Sequence, residues 1–381
     1  MTLDALRLQF PHTEDVVYLD HAATGPLSTP VMEAVGAYLD ERHRTKPNNY
    51  FDLEPLVEQA RQRAATVLGA APERVDFVPN TSAGINLLAQ GLDWQPGDRV
   101  AVPACEFPTN VYPWIGLEAR GVALDFIPHD RGTFTIEDVE RVITPRTRVV
   151  SVSWVQFLSG FRADLEAIGA LCRARGVLFC VDAIQGLGAL QLDVDALPVD
   201  FLACGSHKWL LGPQGIGVFY VTEALQDRLA PVRGWMNGPI DWDDFLSYPT
   251  AFHDDARRFR TGTMNHVGIL GLGAALGLYL DAGPEWCEEA VLARTAEVAA
   301  GADRLGLRRY GSPAPAHASG ITVVEHPEPE GVFEALVAQN VHIAVRDRKL
   351  RIAPTYYNTP DEVARVIEGI AAYGKTSVAV G

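Results

Sequence analysis

Six short apolar runs separated by helical stretches occupy the chain between Asp76 and Val221, and that alternation leaves few folds open. The runs are Asp76-Phe77-Val78, Arg99–Val102, Val149–Ser153, Val177–Val181, Phe201–Ala203 and Gly217–Val221. The spacing predicts helices over Ala83–Leu92, Pro113–Ala119, Ile136–Ile143 and Leu165–Arg175. Continuously apolar strands have no side to present to water, so helices must cover both faces of the sheet. The reading is α/β with a mainly parallel sheet, whose ligands bind beyond the carboxyl ends of the strands. After Asp255 the pattern changes to long helices, Val267–Ala282 and Pro284–Leu305. Strands Ile321–Val324, Val341–Val345 and Leu350–Ala353 and a closing helix Pro360–Tyr373 then describe a smaller α+β unit.

A chain of 381 residues can hold two domains and a sizeable core. Its 32 Lys and Arg against 48 Asp and Glu give a net charge of −16, which argues against nucleic acid and anionic membranes as partners. Cys105, Cys172, Cys180, Cys204 and Cys287 are scattered, odd in number and free of C-x-x-C spacing, so they read as reduced, buried thiols and offer no zinc site. Met1–Phe10 lacks a signal-peptide pattern, and no stretch approaches the roughly 20 apolar residues of a membrane span. The expectation is a soluble, cytoplasmic protein with no metal.

Two of the predicted strands end in chemistry. Val177–Val181 runs into Asp182, and twenty-six residues later Phe201–Ala203 leads into Gly205-Ser206-His207-Lys208-Trp209. A lysine and an acid at neighbouring strand ends have the layout of a pyridoxal 5′-phosphate (PLP) site. Lys208 would form the Schiff base, and Asp182 would keep the pyridine nitrogen protonated so that the ring can accept electrons.

Further segments extend the pattern: Tyr18-Leu19-Asp20-His21-Ala22-Ala23-Thr24, Asn80-Thr81-Ser82-Ala83-Gly84-Ile85-Asn86, Asp182-Ala183-Ile184-Gln185, Gly262-Thr263 and Arg351. In order and spacing the chain resembles the class V aminotransferase family from about Val17 to Asn358. That family comprises fold-type I PLP enzymes, among them cysteine desulfurases, isopenicillin N epimerase and C–S lyases. The resemblance implies a large PLP-binding domain over residues 16–255 and a small C-terminal domain over 256–381, with residues 1–15 packing near the latter.

It also implies roles. Ser82 and the backbone of Ala83, at a helix start where orphan N–H groups favour an anion, would hold the phosphate with Ser206 and His207. Many relatives carry a phosphate-binding serine three residues before the lysine, where this chain has Gly205. Phe107 would stack on the ring and Gln185 would meet its phenolic oxygen. Thr263 would reach the phosphate of the neighbouring subunit's site, making the enzyme a homodimer. Arg351 matches the arginine that grips a substrate carboxylate through its planar fork, and His21 stands near the substrate. Phe157 occupies a place where desulfurases usually carry an asparagine.

The reaction is less constrained. Lys208 is placed to move the Cα proton of an amino acid, and the fate of the resulting carbanion separates aminotransferase, epimerase and C–S lyase. Desulfurases add a cysteine on a mobile loop, but the matching segment His342–Arg351 is short and contains none. Cys105 reads as a buried structural thiol, while Arg346 and Arg348 fit either a second substrate acid or a solvated turn. A desulfurase with atypical cysteine usage is the alternative. A non-catalytic PLP-binding protein is another, which the retained Lys208, Asp182 and Gln185 oppose.

Overall fold

The computed structural model describes residues 1–244 and 246–378. The first strand, β1 (Val17–Tyr18), is followed by seven that form the large sheet: β2 (Val75–Val78), β3 (Arg99–Pro103), β4 (Ala123–Ile127), β5 (Thr147–Ser153), β6 (Leu178–Asp182), β7 (Phe201–Gly205) and β8 (Gly217–Val221). Their spatial order is β2-β8-β7-β6-β5-β3-β4. All run parallel except β8, which is antiparallel to both neighbours. Every residue of β6, β7 and β8 is buried, as continuous apolar runs require.

The small unit is a four-stranded antiparallel sheet of β9 (Arg309–Tyr310), β10 (Thr322–Glu325), β12 (Ala344–Arg346) and β13 (Lys349–Ile352). The remaining strand, β11 (Val341–His342), pairs in parallel with β1. The run Val341–Val345, expected as one strand, is therefore divided at Ile343 between two sheets. The β1–β11 pairing and a bridge from Asp20 to Ala353 attach the N-terminal segment to the small unit. Upstream, Phe10 stacks on Tyr357 at 4.3 Å, and Arg7 pairs with Glu362.

The division between cores differs from the expected boundary at residue 256. Helix His266–Ala282 packs across helices Thr29–Arg44 and Glu54–Leu68, and its Ile269, Leu272, Leu276 and Tyr279 belong to the core of the large sheet. The small core gathers Val298, Val324, Leu336, Leu350 and Ile370 around Val17 and Leu19. Helices His266–Ala282 and Pro284–Arg304 meet at 83° at Gly283, and the second of them leaves the large core, where Cys287 and Val291 still sit, to reach the small core at Val298 and Ala302. Gly283 has φ 95°, which side-chain-bearing residues rarely adopt. Among the described residues no single helix is long and apolar enough to cross a membrane.

Candidate active site

The carboxyl ends of β2, β3, β5, β6 and β7 open on one cavity of about 340 Å³, roughly the size of a small-molecule site. Each strand end delivers a side chain as its apolar run stops: Asn80, Thr81 and Ser82 after β2, Phe107 and Thr109 after β3, Phe157 after β5, Asp182, Ile184 and Gln185 from β6, and His207 and Lys208 after β7. The small unit closes the far wall with Arg346 and Arg351, and Ala22 and Ala23 of the N-terminal segment complete it.

Lys208 stands in the turn after β7, its Nζ 5.6 Å from the centre of the Phe107 ring. Burial pushes its amine down to about 8, with nearby Asp182 opposing the shift. Asp182 is 1% exposed and accepts the Ile184 N–H at 3.0 Å, and burial pushes its carboxyl up to about 6. The turn is held from outside by Gly25, whose N–H donates to the His207 carbonyl at 2.7 Å. A Cβ at Gly25 would lie 2.3 Å from the Lys208 carbonyl oxygen, so only glycine permits this approach.

Gln185 is fixed at both ends: its amide nitrogen donates to Ala22 O at 3.0 Å and its oxygen accepts from Trp209 Nε1 at 2.9 Å. One amide proton is left for a ligand. Ser82 Oγ lies 3.0 Å from Thr109 Oγ1 at the start of helix Thr81–Gly91, which Asn80 caps by accepting the Ala83 N–H at 2.9 Å. The Ala83 N–H, expected to hold phosphate, is thus engaged by Asn80.

Three other expected contacts lie outside the cavity of this chain. Ser206 is buried and donates to the carbonyls of Pro213 and Ile216, so its hydroxyl braces the lysine turn. The hydroxyl next to Gly205 is that of Thr81, which accepts the Gly205 N–H at 2.9 Å; a Cβ at Gly205 would stand 3.3 Å from it. His21 is wholly buried, with Nδ1 2.8 Å from Ala353 O and Nε2 2.6 Å from Tyr357 Oη. Burial pushes it down to about 3, and both ring nitrogens are engaged within the protein, away from the cavity lining. Thr263 is exposed, just before helix His266–Ala282. Conversely, Asn80, Thr81 and Thr109 line the cavity without having been assigned contacts there, and Phe157 and Arg346, whose roles the sequence left open, line it too.

Arg351 is 2% exposed. Its Nη2 donates to Asp20 Oδ1 at 3.2 Å and its Nη1 to Phe157 O at 3.4 Å, while its buried Nε has no partner among the described residues. In the β12–β13 hairpin Ala344 pairs with Arg351 and Arg346 with Lys349, so alternation turns Arg346 and Arg351 to the same face. Asp347 and Arg348 close the hairpin in two residues with φ 48° and 57°, the mirror-image turn that suits a tight hairpin. All five cysteines are buried, and burial pushes the Cys105 thiol up to about 12.

The donor set fits PLP. A partly deprotonated lysine, a buried acid, a phenyl face, and hydroxyls with His207 at a helix N-terminus match an aldehyde, a pyridine nitrogen, a flat ring and a phosphate. Fold and site together define the class: a PLP-dependent enzyme of fold type I.

Known proteins agree with that class. The aminotransferase class-V family model matches residues 17–366, and the chain belongs to this family. A probable cysteine desulfurase of Methanothermobacter thermautotrophicus is 29% identical over 400 aligned residues, covering 98% of this chain and 99% of its own. The apo structure of a cysteine desulfurase from Thermococcus onnurineus NA1 matches with a TM-score of 0.87 at 26% identity over 98% of each chain. The cystine C–S lyase C-DES in complex with its product cysteine persulfide matches with a TM-score of 0.87 at 25% identity, over 94% of this chain and 98% of that one.

Proposed function

We propose that the chain is a C–S lyase that cleaves a sulfur-bearing amino acid and releases the sulfur on a small molecule. The observation that carries this reading is the two-residue, cysteine-free turn of the β12–β13 hairpin beside the cavity. A protein-bound persulfide needs a thiolate that can reach the substrate, and the five thiols here are buried. The balanced reaction takes an S-substituted cysteine and water to pyruvate, ammonium and a thiol.

When bound, PLP supplies an electron sink conjugated to the substrate Cα. The chain's residues do the rest. Lys208 Nζ, with its proton affinity lowered by burial, takes the Cα proton. Asp182 holds the proton on the ring nitrogen, while Ser82, Thr81 and His207 bind phosphate. Arg351 grips the substrate carboxylate through a guanidinium whose Nε has no hydrogen-bond partner among the described residues. Arg346 on the same face favours a substrate whose far end carries a second acid, as cystine does.

Thr263 is exposed and follows Gly262, which lies against Trp235 of an exposed aromatic surface formed with Trp242 and Phe51, and this supports a homodimer in which Thr263 serves the neighbouring site. Mixed dimers of Lys208→Ala and Thr263→Ala subunits would then regain activity in one site of two.

The test follows the visible absorbance of protein loaded with PLP through additions of single amino acids, with Lys208→Ala as control, and then analyses products. Pyruvate and ammonium are expected with sulfide from cysteine, or with cysteine persulfide from cystine. A keto acid matching the substrate, an inverted stereocentre, or sulfur retained on the protein would overturn the lyase reading.

A further inference from the structure

Glu106 takes no part in the chemistry above, yet it is a buried carboxylate that no cation pairs with among the described residues. Burying such a charge is costly unless hydrogen bonds replace its water. Three donors do so: Ser153 N–H at 2.7 Å, the Ser153 hydroxyl, and Gln156 Nε2 at 2.8 Å. Two of the three are N–H groups that can only donate, which suits an ionised carboxylate, while the Ser153 hydroxyl can also accept from the protonated form.

The three donors lie on functional elements. Ser153 is the register partner of Asp182, and the next residue, Trp154, donates its N–H to the Asp182 carbonyl at 2.9 Å. Glu106 itself immediately precedes Phe107. Gln156 immediately precedes Phe157, whose ring meets that of Phe107 edge-on at 5.1 Å and whose carbonyl accepts from Arg351. One carboxylate thereby ties together the strand end carrying Asp182, both phenyl rings of the cavity wall, and the backbone that steadies Arg351.

We propose that Glu106 is a positioning residue of this site, holding Phe107 and Phe157 in place through Ser153 and Gln156 and lending negative charge to the ring-nitrogen side of the cavity beside Asp182. The proposal rests on the reading of the cavity as a PLP site. It extends that reading to a residue that touches neither cofactor nor substrate. Burial, with Asp182 adding to it, pushes Glu106 up to about 7, so its charge is present above neutral pH and lost below. The other titratable groups facing it are Asp182 and Cys180 on β6 and Cys105 on its own segment.

Glu106→Gln, Glu106→Asp and Gln156→Leu are compared with wild type by equilibrium dialysis against PLP on either side of pH about 7, with thermal unfolding of the apo proteins in parallel. Glu106→Gln is expected to weaken PLP binding roughly tenfold on the alkaline side. On the acid side, where wild type loses the same charge, the gap closes. Glu106→Asp restores part of the affinity and the pH dependence. If Glu106→Gln fails to fold, Gln156→Leu carries the test, with a smaller loss of affinity expected. Unchanged PLP affinity and pH profile in the folded variant, whatever its melting temperature, would reduce Glu106 to a packing residue and overturn the proposal. A wild-type protein without PLP affinity would instead overturn the reading of the site.

Discussion

Replacing Arg351 with glutamine tests the substrate end of the cavity most directly. Arg351 is 2% exposed, its guanidinium bonded to Asp20 at 3.2 Å and to Phe157 O at 3.4 Å, and its Nε is unpaired among the described residues. A carboxylate gripped by two charge-assisted hydrogen bonds gains about 1.5–3 kcal/mol from each. Losing both, at about 3–6 kcal/mol, should lower kcat/KM by about two to four orders of magnitude. The fold should suffer less than the about 3–5 kcal/mol typical when a buried pair is broken. Burial already raises the proton affinity of Asp20, and loss of the Arg351 charge, which lowers it, would raise it further and soften the cost of the bare anion. The assay compares kcat/KM for an S-substituted cysteine and for its decarboxylated amine, in wild type, Arg351→Gln and Arg351→Lys. Wild type should discriminate strongly against the amine, Arg351→Gln hardly at all, and Arg351→Lys in between because it keeps the charge but not the fork. A loss in Arg351→Gln below about threefold, or one of equal size for both compounds, would refute the carboxylate role.

Other expectations are open to simpler measurements. PLP uptake by the apo protein should accelerate as pH rises through about 8, the value to which burial pushes Lys208, because only the free amine attacks an aldehyde; a flat rate–pH profile would contradict this. Asp182 is raised in the folded apo protein from 3.8 to about 6, so the folded state binds more protons across that window and stability falls as pH rises through it. Asp182→Asn should flatten that segment of the denaturant midpoint against pH. Cys105→Ser should leave turnover of cysteine within about twofold of wild type, since a thiol pushed up to about 12 is neither charged nor exposed; loss of activity would revive the desulfurase alternative. His21→Ala should lower stability by about 2–3 kcal/mol, through two lost hydrogen bonds and a cavity, with KM close to wild type. A raised KM in a stable variant would return His21 to the substrate.

The parts of the site that were legible in the sequence sit where a strand stops. Asp182 and Lys208 follow buried apolar runs, and the sheet's parallel order fixes which end of each strand faces the ligand. Ser206 misled because adjacent residues of a turn point opposite ways, and here the hydroxyl turns to Pro213 and Ile216. His21 misled because its partners, Ala353 and Tyr357, lie more than three hundred residues away, beyond any local signal. Strand β4 was missed because it is an edge strand with an exposed Phe126 and a half-buried Asp125, so no continuous apolar run marks it. Helices Thr29–Arg44 and Glu54–Leu68 went unread because Arg and Glu interrupt their apolar faces, and only His266–Ala282 across them reveals which side is buried.

The pairing of β1 with β11 and the bridge from Asp20 to Ala353 have a consequence for biosynthesis. At about 5–20 residues per second, the roughly 140 residues between Lys208 and Arg351 take about 7–30 s to translate. During that interval a nascent chain already carries Lys208, Asp182 and the phosphate hydroxyls, while Val17–Asp20 still lacks its strand partner and no arginine awaits a substrate. Ribosomal order therefore separates acquisition of the cofactor half from acquisition of the substrate half. On the proposed reading, a product stalled after Ala282, with β8 and the core helix in place, would carry the aldehyde-binding groups without the arginine that grips an amino acid.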